Sequence, residues 1–163
     1  NCIFNQCDFS NADFSGMLFT DCEFRSCNLS LIKFFKTALR NIVFNDCKML
    51  GLHFEHCNQF GLALNANHCI LNHSSFYKTI LRKISFSKCQ LHETDFTECD
   101  LTGAIFDECD LMNASFDHSV LEKADFRTAF NYSIDPETNR IKKAMFSSSG
   151  LEGLLRKYDL LIE

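Results

Sequence analysis

A phenylalanine or leucine recurs at every fifth residue along almost all of this chain, and that rhythm limits the folds open to it. Five matches neither the 3.6-residue period of a helix nor the two-residue period of a strand. If the recurring residue is the centre of a five-residue unit, the first-half centres are Phe4, Phe9, Phe14, Phe19, Phe24, Leu29, Phe34, Leu39, Phe44, Met49 and Phe54. The second-half centres are Leu71, Phe76, Leu81, Phe86, Leu91, Phe96, Leu101, Phe106, Leu111, Phe116, Leu121 and Phe126, and the frame returns at Ile141 and Phe146. Between the halves the frame shifts by two residues within CNQFGLALNANHC (57–69), as a bulge or as a short protruding loop at NANH (65–68). Fifteen of the 18 phenylalanines are centres, so the aromatic residues are committed to this register.

The position two residues before each centre carries the second signal. All ten cysteines fall there: Cys2, Cys7, Cys22, Cys27, Cys47, Cys57, Cys69, Cys89, Cys99 and Cys109. Disulfides, a metal site and small-residue packing are the three explanations for so many cysteines. The same position elsewhere holds Ala12, Thr37, Ser74, Thr79, Thr94, Ala104, Ala114, Ser119, Ala124 and Ala129, which neither pair as disulfides nor bind metal tightly, with bulkier exceptions at Met17, Ile32, Ile42, Leu52 and Ile84. The cysteines therefore read as small, buryable, inward-facing side chains. Free thiols in that number fit a reducing compartment, and a cytoplasmic location is expected.

The remaining three positions of each unit are mostly polar, as in Asp95, Thr97 and Glu98 around Phe96. Two side chains per unit point inward and three outward, so the chain must turn a corner every unit. Cysteines recur at twenty residues (Cys7, Cys27, Cys47, and later Cys69, Cys89, Cys109), so four units make one coil. Like residues then stack from coil to coil at about 4.8 Å, and about eight coils make a rod on the order of 35–40 Å long. The stretches ADFSG (12–16), CDLTG (99–103), ASFDH (114–118) and ADFRT (124–128) are similar to the motif of the pentapeptide-repeat family. The resemblance covers residues 1–146 and implies an all-β solenoid, a right-handed quadrilateral β-helix. The glycine that family favours two residues after the centre is mostly absent, Gly16 and Gly103 being exceptions.

Two further segments are expected. A loop lies near 131–140, where the repeat loosens and DPET, with Pro136, marks a turn. Residues 147–163, SSSGLEGLLRKYDLLIE, leave the repeat. Ser149 is the expected N-cap of a C-terminal capping α-helix, with Leu151, Leu154, Leu155 and Tyr158 on one face. A solenoid must cover its open end. The tail Leu160, Leu161 and Ile162 is more apolar than a cap needs, and some family members dimerise through this end, so a homodimer is one expectation. The chain opens without Met inside a repeat, so its first residues, and any targeting signal with them, are expected to be missing.

No nucleophile elbow, phosphate loop or zinc spacing appears, and the six histidines (His53, His56, His68, His73, His92, His118) are scattered. A convex rod offers its carboxylates no pocket to shift their pKa values. The chain is therefore read as no enzyme, with no catalytic residue, metal or cofactor. No apolar run of membrane-spanning length occurs, and the formal charge of −5 argues against direct nucleic-acid binding.

Charge is concentrated. Residues 93–125 carry Glu93, Asp95, Glu98, Asp100, Asp107, Glu108, Asp110, Asp117, Glu122 and Asp125 against Lys123 alone. Lys78, Arg82, Lys83 and Lys88 precede this stretch, and Arg127, Arg140, Lys142 and Lys143 follow it. Either this girdle is a solvated surface that keeps strand edges apart, or it is what a protein partner reads. The family resemblance supplies a candidate for the second reading. Qnr-type quinolone-resistance members resemble duplex DNA in width and charge, and bind and protect bacterial type II topoisomerases such as DNA gyrase and topoisomerase IV. The expected class is a non-enzymatic interaction protein, a DNA mimic of that kind or a scaffolding solenoid for another protein.

Overall fold

The structure, a computed structural model, describes residues 1–161. Its strands are short because each five-residue unit has room for one extended stretch before a corner. They are β1 (Ile3–Asn5), β2 (Leu18–Thr20), β3 (Glu23–Arg25), β4 (Ala38–Arg40), β5 (Ile42–Asn45), β6 (Leu64–Asn67), β7 (Ser85–Ser87) and β8 (Ile105–Asp107). All pairings are parallel, in the order β1-β3-β5-β6-β7-β8 on one face and β2-β4 on another. Isolated parallel bridges such as Asp8↔Asn28, Ser75↔Asp95 and Asp100↔Val120 define the other levels. Register is twenty residues per coil: Phe4 pairs with Phe24, Phe24 with Phe44, and Phe86 with Phe106.

The core is the stack of centres. Phe76, Phe96 and Phe116 lie face to face at 5.2 and 5.1 Å. Phe86, Phe106, Phe126 and Phe146 stack at 5.5, 4.7 and 5.3 Å. Rings from adjacent columns meet edge-on, as Phe96 and Phe106 do at 84°. Aromatic pairs favour both arrangements. The first ladder skips one rung, because Ala66 pairs with Phe44 where a phenylalanine would continue the column.

The small residues before each centre are inward, and their chemistry is now visible. Cys27, Cys47, Cys69, Cys89 and Cys109 each donate their thiol to the carbonyl two residues back, at 3.3–3.4 Å. Cys27, Cys47, Cys69 and Cys89 also lie 3.4–3.5 Å from a carbonyl of the previous coil, which the hydroxyls of Thr37, Ser74 and Ser119 reach at 2.6–3.0 Å. A buried donor at this position is thus satisfied by the backbone. All ten cysteines are free, and eight are buried.

Two residues after most centres the chain turns through the left-handed region. Lys78, Lys83, Lys88, Glu93 and Glu98 do so with φ of 57°, 61°, 53°, 53° and 56°. Only glycine enters this region without steric cost, and Gly16 and Gly103 occupy it at φ 72° and 69°.

The frame shift sits earlier than NANH. Residues 64–67 are strand β6, paired on both sides with β5 and β7. Asn58 N still donates to Thr37 O in ordinary register, whereas Ala63 N donates to Leu39 O. The extra residues therefore bulge out within 58–62. The corner before them is also altered: Phe54–His56 forms a single 3₁₀ turn.

The C-terminal segment is helical but 3₁₀ rather than α, over Ser148–Leu154 and Arg156–Tyr158. Ser147, not Ser149, is the N-cap, accepting from Gly150 N at 3.1 Å. Gly150 and Gly153 of this segment pass closely over Tyr132. No helix among the described residues is long and apolar enough to cross a membrane.

Candidate functional site

The acidic stretch is compact in sequence, but coiling places it beside its counter-charges. Lys78, Arg82 and Lys88 stand one coil below Glu98, Asp100 and Glu108, at 3.4, 2.7 and 4.0 Å. Arg140, one coil above, reaches Glu122 at 2.7 Å, and Arg127 reaches Asp125 at 2.7 Å. His73 faces Glu93 at 3.2 Å and His92 faces Asp110 at 2.8 Å. Asp95 accepts from Thr97 N, and Asp107 accepts from the hydroxyls of Ser87 and Thr128. Asp117 makes no ion pair among the described residues. Bands separated along the chain thus interleave in space. Exposed pairs of this kind contribute little stability, about 0–1 kcal/mol, yet they cancel much of the field a free acidic face would project.

The carboxyl groups register these neighbours. Burial pushes Asp100 up, but bonds from Arg82 and Thr102 more than offset it and the pKa ends below the usual carboxylate value. Asp110 is likewise lowered against burial, by Asn131, His92 and the Met112 amide. Arg127 holds Asp125 down directly.

At the C-terminal end the expected apolar face is not gathered into one buried stripe. Leu154 and Leu155 are half-buried, whereas Leu151, Tyr158, Leu160 and Leu161 are exposed. Ile162 lies outside the described residues. Docking is done by other groups: Ile134 N donates to Gly153 O at 2.9 Å, and Lys157 Nζ bridges Asp135 and Glu137 at 2.7 and 2.6 Å. Tyr158 also donates to Glu137 at 2.9 Å.

The residues that sequence reasoning passed over are the three phenylalanines outside the repeat register. Phe35, Phe60 and Phe130 are 58%, 80% and 48% exposed. Phe60 projects from the 58–62 bulge and lies over Arg40, 5.8 Å from guanidinium to ring centre. Gln59 ties the bulge down, donating to Phe54 O and Cys57 O at 3.0 Å each. Phe35, with Leu31, borders a groove of about 360 Å³ that also includes Lys33, Gly51, His53 and His56. Backbone bonds from Lys36 N to His56 O and from Asn58 N to Thr37 O place these two segments side by side. The signal that finds them is that a phenylalanine off the five-residue register has no place in the column of centres, whereas the off-register Tyr132 is buried where the repeat loosens.

With this geometry in hand, comparison with known proteins identifies the class. The family model for a pentapeptide repeat region matches residues 63–129, and that for pentapeptide repeats (8 copies) matches residues 2–41. The chain belongs to the pentapeptide-repeat family, and its fold is that family's right-handed quadrilateral β-helix. Among solved structures it is similar to QnrB1 (R167E, trypsin-treated), a plasmid-mediated fluoroquinolone resistance protein. There the TM-score is 0.53 at 20% identity, covering 99% of this chain and 88% of that one. It is also similar to HetL, a pentapeptide-repeat protein involved in heterocyst differentiation regulation in the cyanobacterium Nostoc. That match has a TM-score of 0.47 at 12% identity, covering 87% of this chain and 84% of that one. No curated protein matches the chain in sequence.

Proposed function

We propose that this chain is a non-enzymatic binding solenoid that docks a protein partner. The observation that carries the reading is Phe60. It is 80% exposed on the bulge where the repeat register breaks, beside the coil that presents Phe35 and Leu31. Loops fixed on a rigid scaffold are common recognition elements, and exposed aromatic anchors beside an arginine have the composition of interface hot spots.

A bacterial type II topoisomerase is the specific partner to test first, because the family resemblance leads there and QnrB1, similar in fold, is a fluoroquinolone resistance protein. In that version Glu93, Asp95, Asp107, Asp110 and Asp117, which have no lysine or arginine partner among the described residues, are the charges left to meet a basic DNA groove. The rest of the acidic girdle serves as solvated, self-neutralised surface. The test is a gyrase supercoiling assay with a fluoroquinolone, run with and without the protein and with Phe60→Ala. Protection by the wild type, weakened in the variant, is the expected result. Neither protection nor binding by the wild type sinks the topoisomerase reading and leaves a scaffolding solenoid for another protein. The exposed Leu151, Leu160 and Leu161 support a homodimer through the C-terminal end, which sedimentation over a range of concentrations tests.

A further inference from the structure

The altered corner before the bulge brings together three side chains that ordinary repeats keep apart. In a regular unit the residue two after the centre is itself left-handed, as Lys78 and Glu98 are, whereas His56 is not. Here Phe54–His56 winds as a 3₁₀ turn, with His56 N bonded to His53 O and Cys57 N to Phe54 O. Residues three apart eclipse on such a turn. His53 and His56 accordingly stack, 5.4 Å between ring centres. Glu55, between them in sequence, turns its carboxylate onto His53, with Oε1 2.9 Å from Nδ1.

We propose that His53, Glu55 and His56 form a binding site for a divalent transition-metal ion, zinc in the first instance. One donor atom from each residue lies within 4.8 Å of the other two. Tetrahedral zinc with bonds of about 2.0–2.1 Å needs them somewhat closer. His53 is 58% exposed, so its ring is free to move in. The second carboxylate oxygen, Glu55 Oε2, supplies an independent observation: it is buried and has no hydrogen-bond partner among the described residues. A carboxylate oxygen withdrawn from water is costly unless something positive or hydrogen-bonding offsets it. A metal ion does this while taking the place of the His53–Glu55 hydrogen bond.

Two imidazoles and one carboxylate select zinc, nickel or copper over calcium and magnesium, which require more oxygen ligands. Three protein ligands leave a fourth position for water or for a partner's side chain. His53 and His56 both line the groove bordered by Leu31 and Phe35, through which such a ligand would approach. Lys33, in the same groove, opposes a cation and keeps the site weaker than a closed structural zinc site. Gln59 holds the turn by its bonds to Phe54 O and Cys57 O, so the ligands do not depend on loop ordering.

The test uses the whole reduced protein with zinc, nickel and cobalt(II), measured by equilibrium dialysis and by cobalt absorption. One equivalent bound in the micromolar range is expected, with visible d–d bands and no sulfur charge-transfer band. Glu55→Gln and His56→Ala should each weaken binding by at least the roughly 10–100-fold that loss of an outer-shell partner costs, with unchanged circular dichroism. Zinc should raise the melting temperature of the wild type and not of the variants. No binding by the wild type, binding unchanged in both variants, or a thiolate charge-transfer band would overturn the assignment.

Discussion

Gly153 passes so close over Tyr132 that a Cβ built on it would sit 2.5 Å from Cδ2 and Cε2 of the ring and 2.6 Å from the Tyr132 carbonyl oxygen. Gly150 does the same at the phenol end, its added Cβ 2.2 Å from the hydroxyl oxygen. Tyr132 is itself 2% exposed and stacks obliquely on Phe126 and Phe146. The cap is therefore seated on the last coil by backbone against ring, where leucine burial was the expectation. Gly153→Ala should push the cap off this ring at a cost of about 1–3 kcal/mol, the usual cost of overpacking. Denaturant melting should show it, with earlier exposure of the Tyr132 ring by its fluorescence. A neutral result would mean the cap does not pack as described.

Phe106 tests the core. It is fully buried between Phe86 at 5.5 Å and Phe126 at 4.7 Å. Phe106→Ala should cost roughly 3–5 kcal/mol through lost burial and the cavity left behind. Phe35→Ala, at an exposed off-register position, should fall within about 0.5 kcal/mol of wild type. Similar losses for the two in chemical denaturation would contradict the inward assignment of the repeat centres.

The coil was readable from spacing alone because every unit repeats one physical choice: a large side chain in, a small one in, a corner. The centres, the small inward residues and the free cysteines all follow from it. What spacing does not contain is the neighbour one coil away. The charge bands read along the chain as separate blocks, yet Lys78, Arg82 and Lys88 meet Glu98, Asp100 and Glu108 once twenty residues become one turn. The bulge at 58–62 falls inside the 57–69 window that spacing defines, but Ala66, a strand residue in a phenylalanine column, hides the register there, so spacing alone does not separate a bulge from a loop at 65–68. His53, Glu55 and His56 meet only because their corner winds as 3₁₀, which the pattern of centres does not reveal.

The corners give a matched pair. Lys83 and Gly103 stack in one column of left-handed residues, at φ 61° and 69°, with an added Cβ at Gly103 only 3.6 Å from Lys83 Cγ. Lys83→Gly removes the steric cost of the left-handed turn, roughly 1–2 kcal/mol, and returns about half of it through a more flexible unfolded chain. A small rise in melting temperature is expected. Gly103→Ala should lower it by introducing that cost. Opposite signs check the argument, whereas two losses would show that Lys83 contributes packing beyond its backbone angle.

The thiols predict an alkaline limit. Burial pushes Cys57 up to about 12 and Cys99 up to about 11. Cys69 and Cys89, also near 12, are held within the cysteine column. Their folded values exceed the unfolded value of about 8.5, so each thiol's contribution is complete below that pH and is lost as the pH rises toward 11–12. The loss is on the order of 1 kcal/mol per pH unit per thiol. Denaturation midpoints measured from pH 8 upward should fall, and the fall should lessen in Cys99→Ala. Thiol titration at neutral pH should detect the exposed Cys2 and the half-buried Cys7 in native protein, and all ten cysteines after unfolding.

The last prediction concerns the ion-pair lock on the cap. Lys157 lowers the carboxyl pKa values of both Asp135 and Glu137, and its own is raised by them. A carboxylate depressed in the folded state stabilises it above the unfolded value, about 4, and that contribution disappears as the pH falls through the lower folded value. The lysine works in the opposite sense, its contribution being lost as the pH rises past about 10. Between those limits the lock holds Asp135 and Glu137, on the 131–140 segment, to the helix that carries Lys157 and Tyr158. The reporter is the Ile134 amide, which donates to Gly153 O at 2.9 Å and is protected only while the cap is seated. Its hydrogen-exchange protection, corrected for intrinsic rate, should drop on acidification while the amides of β7 and β8 stay protected. Lys157→Met should lower it already at neutral pH and remove the acid dependence. Protection that is insensitive both to acid and to this substitution would leave the glycine–tyrosine contact as the sole seat of the cap.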